Sequence, residues 1–361
     1  EVSSSAMSFL DDAGKPSDWI ELYNPNSGPL LLSDYYLSDD MNELQKFQLP
    51  PFILPANSFM LIYADGKNRI DSTIHTNFQL AKKGDSLFIS SAQSSVIDFV
   101  IIPELQIDVS YGRSINGAGT WVYFQNPTPK QSNLLSTYFT CLLKKPIIQT
   151  PAGLYSNSQQ VVVTNPNPQG TIRYTTNGTE PTMSSPIYSS PVTIDNINFP
   201  NGLSTVPTNP SFNYPIGSYT EVRAHTRGWL PPYSDVNNIS ILKVKTFHSG
   251  CLSSETNGAS YLINQPHNYP VVSIILDSLA LFDATSGIYH YGNDLEPNYD
   301  ADGFASERKV LMEYFDENGS ITTSFDRILT MFDVLNQQDN GSYESRNQGA
   351  SRPFLLFETV R

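Results

Sequence analysis

The side chains able to carry chemistry are thinly spread along the chain. The densest acidic stretch holds Asp294, Glu296, Asp300 and Asp302, ending in Asp300-Ala301-Asp302-Gly303. Alternating carboxylates ahead of a glycine are how a calcium loop gathers oxygen ligands. Counted from Asn298, however, position 12 is Lys309, where such a loop needs a bidentate glutamate. Asp294, Asp300 and Asp302 are therefore weak metal candidates, suited to calcium if to anything, and solvated acidic turns are the simpler reading. Asp11-Asp12 and Asp39-Asp40 are shorter clusters of the same kind. The histidines, His75, His225, His248, His267 and His290, show no His-Glu-x-x-His spacing. Gly-x-Ser-x-Gly elbows and Walker-type glycine loops are missing too. A thiol nucleophile would need Cys251 beside His248 or His267, and two loosely spaced residues are poor support for that. The expectation is no catalytic residue, no metal and no cofactor.

The two cysteines, Cys141 and Cys251, are 110 residues apart. No metal site uses that spacing. They are a candidate disulfide in an oxidising compartment; two isolated thiols are the alternative.

Charge narrows the partners. There are 35 Asp and Glu against 21 Lys and Arg, a net charge of −14. Phosphate backbones and anionic membrane surfaces both require clustered cations, so neither nucleic acid nor such a membrane is expected as a partner. No run of about 18 apolar residues is present, which argues against membrane insertion through a helix. The sequence opens at Glu1-Val2 without a charged, apolar leader, as when a signal peptide has been removed or the recorded sequence starts there.

The elements that would position these groups are strands. In the run Asp18-Trp19-Ile20-Glu21-Leu22-Tyr23-Asn24, alternation places Trp19, Glu21 and Tyr23 on one face, with Glu21 reaching the surface at its edge, and Ile20 and Leu22 on the other. Asn24-Pro25-Asn26-Ser27-Gly28-Pro29 then stops it. Further strands are expected over 29–37, 44–49, 58–64, 86–90, 95–102, 107–111 and 120–124, the rhythm of a β-sandwich over residues 1–136. A second unit spans 144–247, with a strand at Gln160–Thr164 and another from Gly170 that ends in the hairpin signal Asn177-Gly178. Asp195 to Gly217 is a long Asn- and Pro-rich loop, of the length that tends to be functional or mobile. The third unit, 248–361, opens on a buried strand from Pro270 to Leu276. Phe325 to Leu335 has helix-compatible apolar spacing, and 337–348 is polar. The expected class is mainly β: two tandem immunoglobulin-like β-sandwiches followed by a smaller α+β region.

Several of these pieces resemble known families. Asp18 to Asn24, Tyr36-Leu37-Ser38-Asp39-Asp40, Ala64-Asp65-Gly66-Lys67, His75-Thr76-Asn77-Phe78 and Ser110-Tyr111-Gly112-Arg113 are similar, in content and order, to lamin-tail immunoglobulin-like domains, including those of secreted bacterial proteins. Gly170-Thr171-Ile172-Arg173-Tyr174-Thr175-Thr176-Asn177-Gly178-Thr179-Glu180-Pro181-Thr182, with Thr220 to Pro231, resembles the accessory domain at the C-terminal end of chitobiases and β-hexosaminidases. Pro270 to Leu276, Gly287-Ile288-Tyr289 and Met312-Glu313-Tyr314-Phe315-Asp316 resemble the opening of a CotH-type spore-coat kinase domain.

The first resemblance implies that His75 hydrogen-bonds within the fold and that Trp19 and Trp121 pack the sandwich core. The second implies a non-catalytic module. Trp229, with Tyr233 and Arg227, is the binding candidate there, because an aromatic outside the core can stack on a sugar ring. The third implies ATP and Mg²⁺ if a full kinase domain follows. Gly349-Ala350-Ser351-Arg352 matches that family's turn, but Pro353-Phe354-Leu355 stands where its lysine is expected. The combined expectation is a non-catalytic scaffold or adhesion protein, secreted or on a bacterial cell surface, with a protein or polysaccharide surface as partner. The alternatives are the N-terminal portion of a CotH-like kinase, or a carbohydrate-binding accessory module.

Overall fold

The computed structural model describes residues 1–4, 9–196, 239–264, 270–277, 280, 283, 285–287 and 308–316, and the backbone of the strands Ile321–Leu329 and Phe354–Val360. Its regular structure is mainly β, in several sheets. Two units are distinct: Glu1–Leu143 with His248–Ser253, and Lys144–Phe247 with Ser254–Arg361.

In the first unit, two sheets face each other. The larger runs in the order Tyr138–Phe139, Ala118–Phe124, Ser110–Ile115, Val2–Ser3, Trp19–Tyr23, Phe59–Tyr63, Ile74–His75, Arg69–Ile70. The smaller runs Val96–Ile102, Asp85–Ser91, Tyr35–Ser38, Phe47–Gln48. Alternation along the strands supplies one core between them: Ile20 and Ile62 from the larger sheet meet Leu37, Leu87 and Val100 from the smaller. The opposite face of Trp19–Tyr23 is covered as well. Trp19 is 1% exposed and packs with Leu61, Tyr63 and Phe9. Glu21, expected at the surface, is buried, and its carboxylate accepts the N–H of Lys130. Trp121 is half-buried: it rests against the core, stacks on Tyr111 at 5.5 Å and carries Arg113 at 4.9 Å on its ring.

The turn after Trp19–Tyr23 is built by one side chain. Asn24 is fully buried; its amide donates to the carbonyls of Gly28 (3.0 Å), Leu54 (3.0 Å) and Pro55 (3.1 Å), and its oxygen accepts the N–H of Asn26 (3.0 Å). Asn24→Ala would remove the donor to the buried Leu54 carbonyl and the side chain that ties the turn together. It is expected to cost about 2 kcal/mol, read as a lower midpoint in urea.

In the second unit a four-stranded sheet runs Gly153–Tyr155, Asn257–Ile263, Ser240–Phe247, Thr171–Thr175. Residues 257–263, which the sequence reading assigned to the third segment, lie inside this sheet, paired with Ser240–Phe247 and Gly153–Tyr155. Both of its faces are covered. Tyr261, Ala259, Leu242 and Val244 face a core with Val161, Val163 and Ile194. Ile241 and Leu262 face Val271, Ile275 and Phe315 of another sheet, ordered Ile321–Leu329, Arg308–Phe315, Val271–Asp277, Phe354–Val360. Contact there is close enough that a β-carbon on Gly258 would lie 3.0 Å from Leu311 Cδ2. The Asn177-Gly178 signal marks a turn, with Gly178 at φ +73°, but the chain returns to Thr171–Thr175 only at Ile187, opposite Arg173. Of the helix-compatible stretch Phe325 to Leu335, residues 325–329 lie in a strand and the rest lies outside the described residues. Ile321–Leu329 pairs antiparallel along the whole of Arg308–Phe315, because sheet pairing satisfies backbone groups that a lone short helix would leave to water.

Candidate functional site

The main convergence of titratable side chains in the first unit gathers on His75. Ile74–His75 pairs with Arg69–Ile70, which sets Arg69 opposite His75, and with Phe59–Tyr63, which sets Tyr63 beside it. The turn between them brings Asp65 and Lys67, with Gly66 at φ +74°, a conformation that favours glycine. A second turn closes where Leu10 bridges Pro16 and delivers Asp11 and Asp12.

His75 is fully buried and stacks on Tyr63 at 5.0 Å. Its Nδ1 lies 2.9 Å from Asp65 Oδ2, so this nitrogen carries the proton. Its Nε2 lies 2.7 Å from Arg69 Nη2, 3.0 Å from Thr73 Oγ1 and 3.1 Å from Asp12 Oδ1. Lys67 Nζ bridges Asp65 Oδ2, at 2.7 Å, and Asp11 Oδ2. Asp11 Oδ1 accepts the N–H groups of Ala13 (2.8 Å) and Lys15 (2.9 Å). Arg69 also holds Asp12, and Asp71 at 2.7 Å.

Burial opposes ionisation of Asp11 and Asp65, but the Lys67 ammonium and the hydrogen bonds outweigh it and hold both carboxyls below their ordinary value. The Arg69 hydrogen bond holds Asp12 at about 2. These depressed values mean that the stability the carboxylates confer is present above about pH 4 and lost as pH falls through the folded values. Asp65→Asn removes an acceptor shared by His75 and Lys67. It is expected to cost about 2 kcal/mol at pH 7 and to flatten the fall in thermal midpoint between pH 4 and pH 2.

Two chemistries are suggested by the geometry, and the chain's own groups already fill both. Asp65, His75 and Thr73 have the spacing of orienter, base and nucleophile. Yet Nε2 already lies within hydrogen-bond distance of Arg69, Thr73 and Asp12, and the ring has no exposed surface. Asp11, Asp65 and His75 have ligand atoms within 4.8 Å of one another, as around a metal. The Lys67 ammonium already contacts both carboxylates, supplying the positive charge that a cation would bring. The cluster acts as an ionic knot tying the Leu10–Pro16 turn to the sheet edge. The resemblance implied a structural His75; what local sequence did not signal is that Asp11 and Asp12, 56 and 57 residues before Lys67 and Arg69, close the cluster.

A cleft of about 560 Å³ in the same unit is lined by residues of both sheets, among them Leu87, Val100, Glu21, Tyr23, Arg113 and Trp121. Burial pushes the Glu21 carboxyl up to about 7. Arg113 donates to both oxygens of Asp98, at 2.8 and 3.0 Å, joining the larger sheet to the smaller across this cleft.

Of the residues singled out from sequence, Cys141 and Cys251 are brought together. Cys141–Leu142 and Cys251–Leu252 pair as parallel strands and the two sulfurs are bonded. Of the two readings, the disulfide is the one formed: residues 248–253 return to the first unit, where Leu252 enters the core. Trp229, Tyr233 and Arg227, and likewise Asp294, Asp300 and Asp302, lie outside the described residues.

No curated protein matches the chain. Two family models do match parts of it: residues 150–199 match the chitobiase/β-hexosaminidase C-terminal domain, and residues 7–104 match the lamin tail domain, a stretch that includes the ionic knot and the core-packed Trp19.

Proposed function

We propose that this chain is a non-catalytic scaffold or adhesion protein, presenting β-sandwich modules to a protein or polysaccharide surface. The observation that carries the reading is the saturation of the His75 cluster: both ring nitrogens and the two neighbouring carboxylates are spent on groups of the chain itself. Such a knot stiffens a module without leaving a group free to react. The Cys141–Cys251 bond supports placing the protein outside a reducing cytosol, secreted or on a bacterial surface. The proposed plan keeps three modules, read from sequence as 1–136, 144–247 and 248–361, with the last, the opening of a CotH-type region of α+β character, following the strand Asn257–Ile263, which belongs to the sheet of the second unit.

A thermal-shift panel tests this. Nucleotides with Mg²⁺ and soluble glycans are each expected to leave the transitions unmoved, while co-sedimentation with insoluble polysaccharide or capture by an immobilised surface protein is expected to retain the chain. A midpoint rise with ATP and Mg²⁺ would overturn the reading in favour of phosphoryl transfer.

A further inference from the structure

The strand Val96–Ile102 ends the smaller sheet of the first unit. It pairs with Asp85–Ser91 on one side, and no other strand of the described residues pairs with its second edge. Edges of this kind are usually guarded by charges, proline, a bulge or brevity, because their free N–H and C=O groups template another strand. This one is seven residues long, and its outward residues are Ile97, Phe99 and Ile101, at 57%, 55% and 70% exposure, while Val100 and Ile102 are buried. Phe88 stacks on Phe99 at 6.1 Å and widens the apolar strip.

The charge distribution is unusual for so acidic a chain. From Ser86 to Ile102 the only ionised side chain is Asp98. That carboxylate is neutralised internally by Arg113, at 2.8 and 3.0 Å. The excess negative charge therefore does not oppose association at this edge. Asp98 Oδ1 also accepts the N–H of Phe99 at 2.9 Å, which leaves that N–H on the open side, away from Asp85–Ser91.

The sequence Val-Ile-Asp-Phe-Val-Ile-Ile reads almost alike in both directions about Phe99. In a twofold antiparallel pairing Phe99 would face its own copy and Ile97 would face Ile101, so every outward pair is apolar. Val96 would face Ile102 and Asp98 would face Val100; Pro103, without an N–H, ends the ladder. A strip complementary to its own reverse is what an isologous interface requires. We propose that Val96–Ile102 pairs with the same strand of a second copy, joining the two smaller sheets into one. For the central bonds to form, the Asp98 carboxylate must release the Phe99 N–H while keeping Arg113. One strand pair is a small interface, so dissociation is expected on the order of 10 µM. This does not rest on the scaffold reading.

The test is sedimentation velocity on the full chain from about 1 to 300 µM, where these values predict a shift from monomer to dimer. Phe99→Lys/Ile101→Lys changes exposed positions only, so it should keep the thermal midpoint and remain monomeric throughout. Register is tested by thiols. With Cys141 and Cys251 already joined, Phe99→Cys introduces a single free thiol at the twofold axis and should cross-link on mild oxidation. Ile101→Cys, whose copy would lie about 14 Å away along the strands, should not. A chain that stays monomeric at the highest concentration overturns the proposal, even if an extended peptide binds the edge. So does a dimer that persists in the lysine variant, or equal cross-linking by the two cysteine variants.

Discussion

Cys141→Ser/Cys251→Ser protein is expected to lose about 4 kcal/mol of stability in its first unit, a fall of about 10 °C in the thermal midpoint. The bond closes a loop across 110 residues, and opening it releases a large closure entropy to the unfolded chain. There is a local reason to expect the full effect. Cys251–Leu252 is held by only two paired residues, yet it delivers Leu252 to the core at 3% exposure. Without the covalent link, this short strand must pay the closure entropy of the loop from its own few contacts. Tryptophan fluorescence is a suitable probe, since Trp19 and Trp121 both lie in the first unit. Wild-type protein treated with reductant should behave like the double variant. If both keep a midpoint within about 1 °C of the oxidised protein, the strand is held by packing alone and the argument fails.

Glu313→Gln is expected to act in the opposite direction, stabilising the second unit above neutral pH. Glu313 is 1% exposed between two sheets. Its Oε2 accepts the N–H of Ser260 at 3.0 Å, next to a contact between the hydroxyls of Ser260 and Ser273 at 2.7 Å. Burial pushes its carboxyl up to about 7, from the ordinary 4.5, and the hydrogen bonds from Ser260 only partly offset this. The folded state thus keeps a proton that the unfolded chain gives up. Stability is full below about pH 4.5, falls as pH rises through the window to about 7, and then levels off. Between pH 5 and pH 8 the loss should be about 2–3 kcal/mol in the wild type. Glutamine keeps the acceptor without the ionisation, so Glu313→Gln should show a flat profile over that range. Calorimetry at pH 5, 6.5 and 8 would decide; a wild-type profile as flat as the variant's would mean that the carboxylate is solvated.

Much of the first unit could be read before any coordinates. The strand rhythm placed Trp19–Tyr23, Phe59–Tyr63, Asp85–Ser91, Val96–Ile102 and Ala118–Phe124 within a residue or two, because turns rich in Asn, Pro and Gly bracket each apolar run. The core role of Trp19 and the structural role of His75 were legible too. Glu21 was misplaced, since alternation says which residues share a face but not what lies over it; Lys130 arrives from 109 residues further on. Trp121, whose core role the resemblance implied, is shared between the core and Arg113.

The local sequence determined that this chain forms strands, where most of them stop, and which side chains alternate toward an interior. These follow from backbone sterics and apolar periodicity, which act over a few residues. Only the tertiary structure decided that Cys251 returns to Cys141, that Lys67 occupies the place of a cation between Asp11 and Asp65, and that residues 257–263 are covered on both faces. Those outcomes depend on contacts between segments distant in the chain, where burial and charge pairing act through space and leave no periodic trace in the order of residues.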